Sequence, residues 1–347
     1  MSAFLTGKKI LFITTQFYGY EQAVIKCLRD HGADLTVYYD DPVSYTRIKF
    51  LKNAISRSTR TKVNKFYRAY ILRKTSNLTF HYIFFLKGSI MSEPFLKRLR
   101  FDHPNALLIQ YQWDSLSNFN NAHLIPCFDI SYTFDRADAD SVPALTYMPT
   151  FALDDFFELR TKRQKTKQDI DVSFVGSNHS DRLKLLRGLR VKLKKLNLNY
   201  RFYVYLPVLV GIKSVLITKK VKPEEFTMGP LSKKKYKDIL ARSRYVLDLP
   251  SPKQTGVSLR TYEALASGCG LITTSKTIAQ EPFFSDKHIF IVEPDSLKES
   301  IPTLLQRDYS HEQLLSFEEY SLSSWVKKVF SFESKPEEAT YKLKKML

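Results

Sequence analysis

The chain has 347 residues, of which 44% are hydrophobic and 14% aromatic, with 11 glycines and three cysteines. That composition excludes wholesale disorder, a collagen-like repeat and a disulfide scaffold, and the length suggests two domains of roughly 100–200 residues each. Lysine and arginine outnumber aspartate and glutamate by 54 to 35, and a net charge of +19 implies an anionic partner: a phosphorylated substrate, a lipid headgroup surface or nucleic acid. Cys27, Cys127 and Cys269 lie far apart without CxxC spacing and read as free thiols of a reducing compartment. The most apolar runs, such as Tyr82–Leu86 and Tyr203–Ile212, fall short of the ~20 residues a membrane-crossing helix needs. The N-terminal MSAFLTGKKILFITT has a lysine pair but no signal-peptide core or cleavage site, so a cytoplasmic protein is expected, held at the inner face of the membrane.

Lys9–Thr14 (KILFIT) is a short, continuous apolar run, as a buried parallel strand requires. A polar loop over Thr15–Gly19 leads into a helical pattern from Glu21 to His31, with Gly32 placed as C-cap and Asp34–Tyr39 as the next strand. This βαβ opening lacks GxGxxG in its first turn, and no GxxxxGK[ST] loop occurs anywhere, which argues against dinucleotide and P-loop sites. Pro42–Ser92 contains no acidic residue and eleven basic ones, interleaved with aromatic and aliphatic side chains. One or two amphipathic cationic helices are expected within 42–78, either as a solvated face or as a surface that meets anionic lipid.

Strand-type runs follow at Phe80–Leu86, Ala106–Tyr111 and Phe128–Thr133, with a helix at Glu93–Arg100 between the first two. Each strand ends in a polar loop, and in open α/β sheets ligands sit at such carboxyl ends. Gln16, Tyr18, Lys87 and Trp113 are therefore candidates for ligand contact, Trp113 by stacking on a ring. Tyr147–Asp155 reads as irregular and Arg160–Gln168 as a solvated connector, which closes a first domain at 1–155. The same grammar then restarts: a strand at Asp171–Val175, a basic helix at Asp181–Leu196, a strand at Arg201–Tyr205, a helix at Ser232–Ala241 and a strand at Tyr245–Leu249. The expectation is α/β throughout: two doubly wound, Rossmann-like domains (1–155 and 156–320) facing a cleft, with a helical tail at 321–347 packing back toward the first.

The strongest local signal is PSPKQTGVSLRTYEALASGCGLITT at Pro250–Thr274. A buried strand ends in a loop with Gly256, a helix follows carrying Glu263 one turn in, and a Gly268–Gly270 turn opens the next strand. The free N–H groups and partial positive charge of such a helix start suit a diphosphate. A carboxylate nearby can accept from vicinal ribose hydroxyls, and Arg260 can neutralise phosphate. An ordinary αβ unit with a solvated first-turn acid is the alternative.

This segment resembles the C-terminal nucleotide-sugar motif of GT-B glycosyltransferases, a helix and strand of the form E-A-L/M-A-x-G-x-P-L/V-I-T. Here the match runs from Glu263-Ala264-Leu265-Ala266-Ser267-Gly268 to Leu271-Ile272-Thr273. The resemblance implies that Glu263 holds the ribose, that Thr255, Gly256 and Ser258 form a phosphate loop, and that Lys253 or Arg260 supplies a cation. It further implies that Met228, Gly229 and Leu231 pack on the nucleobase and that Gly176 and Ser177 lie by the diphosphate. More loosely, the whole chain is similar to bacterial cell-surface polysaccharide transferases of lipopolysaccharide or capsule assembly. That implies a nucleotide-sugar donor (a UDP-sugar by frequency, with GDP- and CMP-sugars open), a lipid-linked glycan or oligosaccharide acceptor, and neither cofactor nor metal. Retaining members carry two glutamates eight positions apart; here Thr255 stands where the first would be, so the stereochemical outcome stays open. Cys269-Gly270 replaces the usual x-Pro.

An inverting transfer needs a base for the acceptor hydroxyl, and Asp114 and Asp135, both at strand ends, are the candidates. Two other readings compete: an inactive relative that serves as a binding scaffold, and a basic RNA-binding protein. No RNP, KH or helix-turn-helix signature supports the second, so nucleic acid is not an expected partner.

Overall fold

A computed structural model describes residues 3–42, 56–178, 182–206, 226–229, 231–251, 254–306 and 317–331. The described chain divides into two units, 3–149 with 325–331, and 150–324.

The first unit is built on six strands: β1 (Lys9–Thr14), β2 (Asp34–Tyr39), β3 (Tyr82–Leu86), β4 (Leu107–Gln112), β5 (Ile130–Thr133) and β6 (Thr146–Tyr147). They lie in the order β2-β1-β3-β4-β5-β6, and every pairing is parallel. Parallel strands need crossovers, and helices α1 (Tyr20–Asp30), α2 (Arg57–Thr75), α3 (Glu93–Asp102) and α4 (Arg136–Ser141) lie between them in the chain. The continuous apolar runs follow from burial on both faces. Leu11, Ile13, Ile83 and Phe85 share one core with Ile71 of α2 and Phe95, Leu96 and Leu99 of α3. The alternate residues Phe12 and Phe84 stack at 5.2 Å. Their side of the sheet is closed by α10 (Leu322–Phe330), whose Trp325 lies 6.3 Å from the Phe84 ring and 4.8 Å from that of Tyr111, with Phe330 5.5 Å from Phe84.

In the second unit the order is β12-β11-β10-β7-β8-β9, again all parallel. These strands are β7 (Ile170–Ser177), β8 (Tyr200–Leu206), β9 (Thr227–Met228), β10 (Ser243–Asp248), β11 (Gly270–Thr273) and β12 (Ile289–Ile291). The helices are α5 (Asp154–Gln164), α6 (Arg182–Lys195), α7 (Lys233–Arg242), α8 (Leu259–Ala266) and α9 (Leu297–Leu305). Phe174, Val204, Leu247 and Ile272 pack with Leu186, Leu189 and Leu193 of α6 and Leu297, Ile301 and Leu305 of α9 in one core.

The expected solvated connector is corrected here: Asp154–Gln164 is a helix with Phe156, Leu159 and Arg163 buried. Its inward stripe has helical spacing, but an arginine completes it, so composition reads as charged where packing is dense. Arg163 Nη1 donates to the Leu240 carbonyl at 2.8 Å and to the Ser243 carbonyl, tying α5 to the start of β10.

Trp325 is 2% exposed and covers the centre of the first sheet from the far end of the chain. Replacing it with alanine removes a large buried ring and leaves a cavity, a change worth about 3–5 kcal/mol. Denaturant unfolding of Trp325→Ala should register that loss; a difference below ~1 kcal/mol would mean that α10 is dispensable to this sheet.

Candidate functional site

The chain leaves β7 toward β8 on one side and returns through β10 on the other, so the β7–β10 boundary is the switch point of the second sheet. Asp248 closes β10 there and is 1% exposed. Its Oδ1 accepts hydrogen bonds from Arg260 Nη1 at 2.7 Å and Ser258 Oγ at 2.9 Å, and its Oδ2 from Thr273 Oγ1 at 3.2 Å. Arg260 Nε also donates to the Val175 carbonyl at 2.8 Å. A Cβ on Gly176 would come within 2.7 Å of Arg260 Nη2, so only glycine leaves this guanidinium room at the strand end.

A second arginine shares the place. Arg182, the first residue of α6, is buried and donates to the carbonyls of Leu249 at 2.7 Å and Ser177 at 2.9 Å. Both guanidiniums lie near the Phe174 ring, Arg182 at 5.7 Å and Arg260 at 5.1 Å. Asp248 is ion-paired with Arg260, and Arg182 has no carboxylate partner among the described residues. Burial and then the charge of Arg260 pull the Arg182 guanidinium down to about 9, against the opposing pull of Asp248. Among the described residues, the buried Arg182 and the partly buried Arg260 stand against one carboxylate at this strand end, a local excess of positive charge.

Glu263 sits on α8, buried, with Tyr236 of α7 donating its hydroxyl to Oε2 at 2.8 Å. Burial pushes the Glu263 carboxyl up to about 8 and raises the Tyr236 phenol as well. Ser258 stands at the N-cap of α8, but its hydroxyl is committed to Asp248. Gly256 is buried and its carbonyl accepts from Gln254 Nε2 at 3.1 Å, while the exposed Thr255 accepts at its carbonyl from Thr277 Oγ1 at 2.6 Å. Gly229 has φ +92 and Leu231 is half-buried. Lys253 and the Met228 side chain lie outside the described residues.

In the first sheet the order reverses between β1 and β3, and the loops after these two strands carry the backbone strain of the unit. Tyr18 has φ +49 followed by Gly19 at +83, and Lys87 has φ +76 followed by Gly88 at +79. Non-glycine residues in this region cost of order 1–3 kcal/mol and concentrate at functional sites. Lys87 Nζ reaches Asp114 Oδ2 at 2.8 Å, both side chains being about one-third exposed. The fold thus brings together two residues that the sequence singles out separately. Tyr18 and Gln16 are exposed on the neighbouring loop. Trp113 is half-buried, set edge-on to the rings of Phe17, Tyr20 and Tyr111 at 6.1–6.3 Å.

Asp135, the other candidate base, is set differently from Asp114. It is buried, its Oδ1 accepts from the Ala137 N–H at 3.1 Å as the N-cap of α4, and its Oδ2 accepts from the Ser115 hydroxyl. That carboxylate serves its own helix, and Asp114 is the acid left partly open at these strand ends.

Sequence reasoning passed over Asp248, Arg182, Tyr236 and Asp40. An acid inside the apolar run YVLDL was a legible signal for the first; Arg182 was hidden among the cations of its helix. Asp40, at the end of β2, is 1% exposed, accepts the Ser89 N–H at 2.7 Å, and leaves Oδ1 without a partner among the described residues. Among the described residues, no group of three or more His, Cys, Asp or Glu could hold a metal ion.

A family described as glycosyl transferase-like matches residues 192–316. No curated protein matches the sequence. Among solved structures, the chain is similar to sucrose-phosphate synthase from Thermosynechococcus elongatus, with TM-score 0.62 and 10% identity over 98% of this chain and 99% of that one. It is similar to an α-glucosyltransferase in complex with UDP and a mismatched 13-mer DNA, with TM-score 0.60 and 13% identity over 93% and 99%. A UDP-GlcNAc 2-epimerase from Neisseria meningitidis bound to UDP-GlcNAc matches with TM-score 0.57 and 11% identity over 97% and 100%. At these identities the likeness establishes the fold, which is GT-B. The glycosyl transferase-like match lies within the second half of the chain, in the unit that carries the Asp248 cluster.

The raised Glu263 carboxyl has a consequence for stability. The folded state holds a proton there that the unfolded chain releases near pH 4.5, so stability is full below that value and falls as pH rises toward 8. Glu263→Gln keeps an acceptor for Tyr236 without the charge. The variant should lose this pH dependence and exceed the wild type at pH 8 by on the order of 2 kcal/mol in thermal or chemical unfolding. Parallel stability–pH curves would show that Glu263 is ionised at no cost.

Proposed function

We propose that this chain moves a sugar from a nucleotide-activated donor to a lipid-linked or polysaccharide acceptor, in assembly of a bacterial surface glycan such as lipopolysaccharide or capsule. The observation that carries the reading is the Arg182–Arg260 pair near Gly176 at a strand-end switch point, one guanidinium buried and one partly buried, with Asp248 paired to Arg260. A nucleoside diphosphate is the leaving group of such a transfer, and its negative charge grows as the glycosidic bond breaks. Cations already fixed in place favour that charge without reorganising. Glu263, whose Oε2 accepts from Tyr236, is the residue we assign to the ribose hydroxyls. UDP is the first candidate nucleotide, in keeping with the UDP and UDP-GlcNAc of two structural neighbours, ahead of GDP and CMP.

On the acceptor side, Asp114 takes the proton from the attacking hydroxyl as its oxygen bonds to the anomeric carbon, and the diphosphate leaves with the electrons of the broken C–O bond. Lys87 holds the carboxylate in position through the 2.8 Å ion pair. We place the enzyme in the cytoplasm at the inner face of the plasma membrane, where lipid-linked acceptors are loaded.

A thermal-shift screen of UDP, GDP, CMP and dTDP tests the donor reading. One of them should raise the midpoint in proportion to the logarithm of its concentration, since a ligand that binds only the folded state stabilises by mass action. No shift with any of the four would remove the reading. With the donor known, Asp114→Asn should lower turnover at least ~100-fold and leave donor binding unchanged. Turnover near wild type would move the base elsewhere.

A further inference from the structure

The helix that crosses from β2 to β3, α2, has one face in the core and one exposed to solvent. Ile71 and Thr75 are fully buried, and Arg68 Nη1 donates to the Ile90 carbonyl at 3.0 Å, which fixes the inward side. Opposite them, at spacings of four, four and three, stand Lys62, Phe66, Tyr70 and Arg73, all exposed. Phe66 is 76% exposed and Tyr70 is 42% exposed. Lys65 and Lys74 flank this stripe in solvent, and Lys74 Nζ lies 5.9 Å from the Tyr70 ring. Tyr70 is braced from behind by Tyr67 at 6.2 Å and Tyr38 at 6.3 Å, so the aromatic row is held outward on a firm base. The helix contains no acidic residue, and none occurs from Pro42 to Ser92.

We infer that this stripe is a docking surface for an anionic lipid bilayer, with Phe66 and Tyr70 seated at the headgroup boundary and Lys62, Lys65, Arg73 and Lys74 meeting lipid phosphates. A merely solvated helix mixes both charge signs, as α3 does around its own exposed Phe101, whereas here Phe66 and Tyr70 adjoin on one face among cations only. A helix lying in the interface plane has both features: a cationic rim and an aromatic row. Charge decides the lipid class, because the stripe offers an acidic surface only cations. Nucleic acid is the other polyanion, but proteins that stack bases do so on sheet platforms or grooves, and this row runs along a single convex helix. No described helix is long and apolar enough to cross a membrane, so the contact is peripheral. The second basic helix, α6, exposes Lys184, Lys192, Lys194 and Lys195, but its outward apolar residue is Val191 and no aromatic stands among them. The inference does not depend on glycosyl transfer.

Sedimentation of the full chain with phosphatidylcholine vesicles, with and without phosphatidylglycerol, tests it. Binding should require phosphatidylglycerol and weaken as salt is added. Replacing Lys62, Lys65, Arg73 and Lys74 by glutamine should lower the partition coefficient roughly 100–1,000-fold, and Phe66→Ser with Tyr70→Ser about tenfold. The same four-glutamine change at Lys184, Lys192, Lys194 and Lys195 should leave binding within about twofold of wild type. Should the charge variant fail to fold by circular dichroism, Phe66→Ser alone, at an exposed position, serves in its place. Equal binding to neutral vesicles, or no binding to either kind, would overturn the inference. So would loss of binding on changing α6 but not α2, or tight binding of a single-stranded RNA oligonucleotide in the absence of vesicle binding.

Discussion

Asp248 sits at the end of a strand with almost no water around it, and the second unit is arranged to satisfy it. A buried carboxylate is costly unless it is paired and hydrogen-bonded. Ser258, Arg260 and Thr273 do this from the start of α8 and the end of β11, so one side chain aligns the loop after β10, the helix that follows and the neighbouring strand. Among the described residues Asp248 forms its ion pair with Arg260, and Arg182 has no carboxylate at ion-pair distance. The carboxylate fixes where one cation points, while the other is held by the carbonyls of Leu249 and Ser177.

The first unit reaches an open strand end by a different route. Its crossover loops hold Tyr18 and Lys87 in left-handed backbone conformations, each ahead of a glycine that adopts the same region readily. Gly88 is also hemmed in by Met91, whose sulfur would come within 2.7 Å of a Cβ there. The strain projects Lys87 to Asp114, so the partly open acid of this unit is oriented by a residue whose own backbone is unfavourable. Strain at one sheet's switch point and charge imbalance at the other's are different devices at equivalent places in the topology.

Most of the architecture was legible because it rests on apolar runs. KILFIT and DLTVYY are strands with the expected limits, and FHYIFFL loses two residues at its start. What was not legible depends on partners far away in sequence. Arg163 makes α5 look like a solvated connector, because nothing local reveals that its guanidinium ends among the carbonyls of Leu240 and Ser243. Asp135 and Asp114 look alike as acids after strands, and only the N–H of Ala137 and the hydroxyl of Ser115 separate the helix cap from the open carboxylate. Glu263 was found through motif resemblance, but its retained proton is a property of burial, and its Tyr236 partner is one that no spacing announces.

The central claim is that the cation left over by the Asp248–Arg260 pair is there for phosphate. Isothermal titration of a nucleoside against its diphosphate, in the wild type and in Arg182→Gln, tests this directly. The substitution should weaken the diphosphate by about 1.5–3 kcal/mol, roughly tenfold to 150-fold, and leave the nucleoside unchanged, because only the charged part of the ligand meets the guanidinium. Equal losses for both ligands, or no loss for either in a protein that remains folded, would contradict the account.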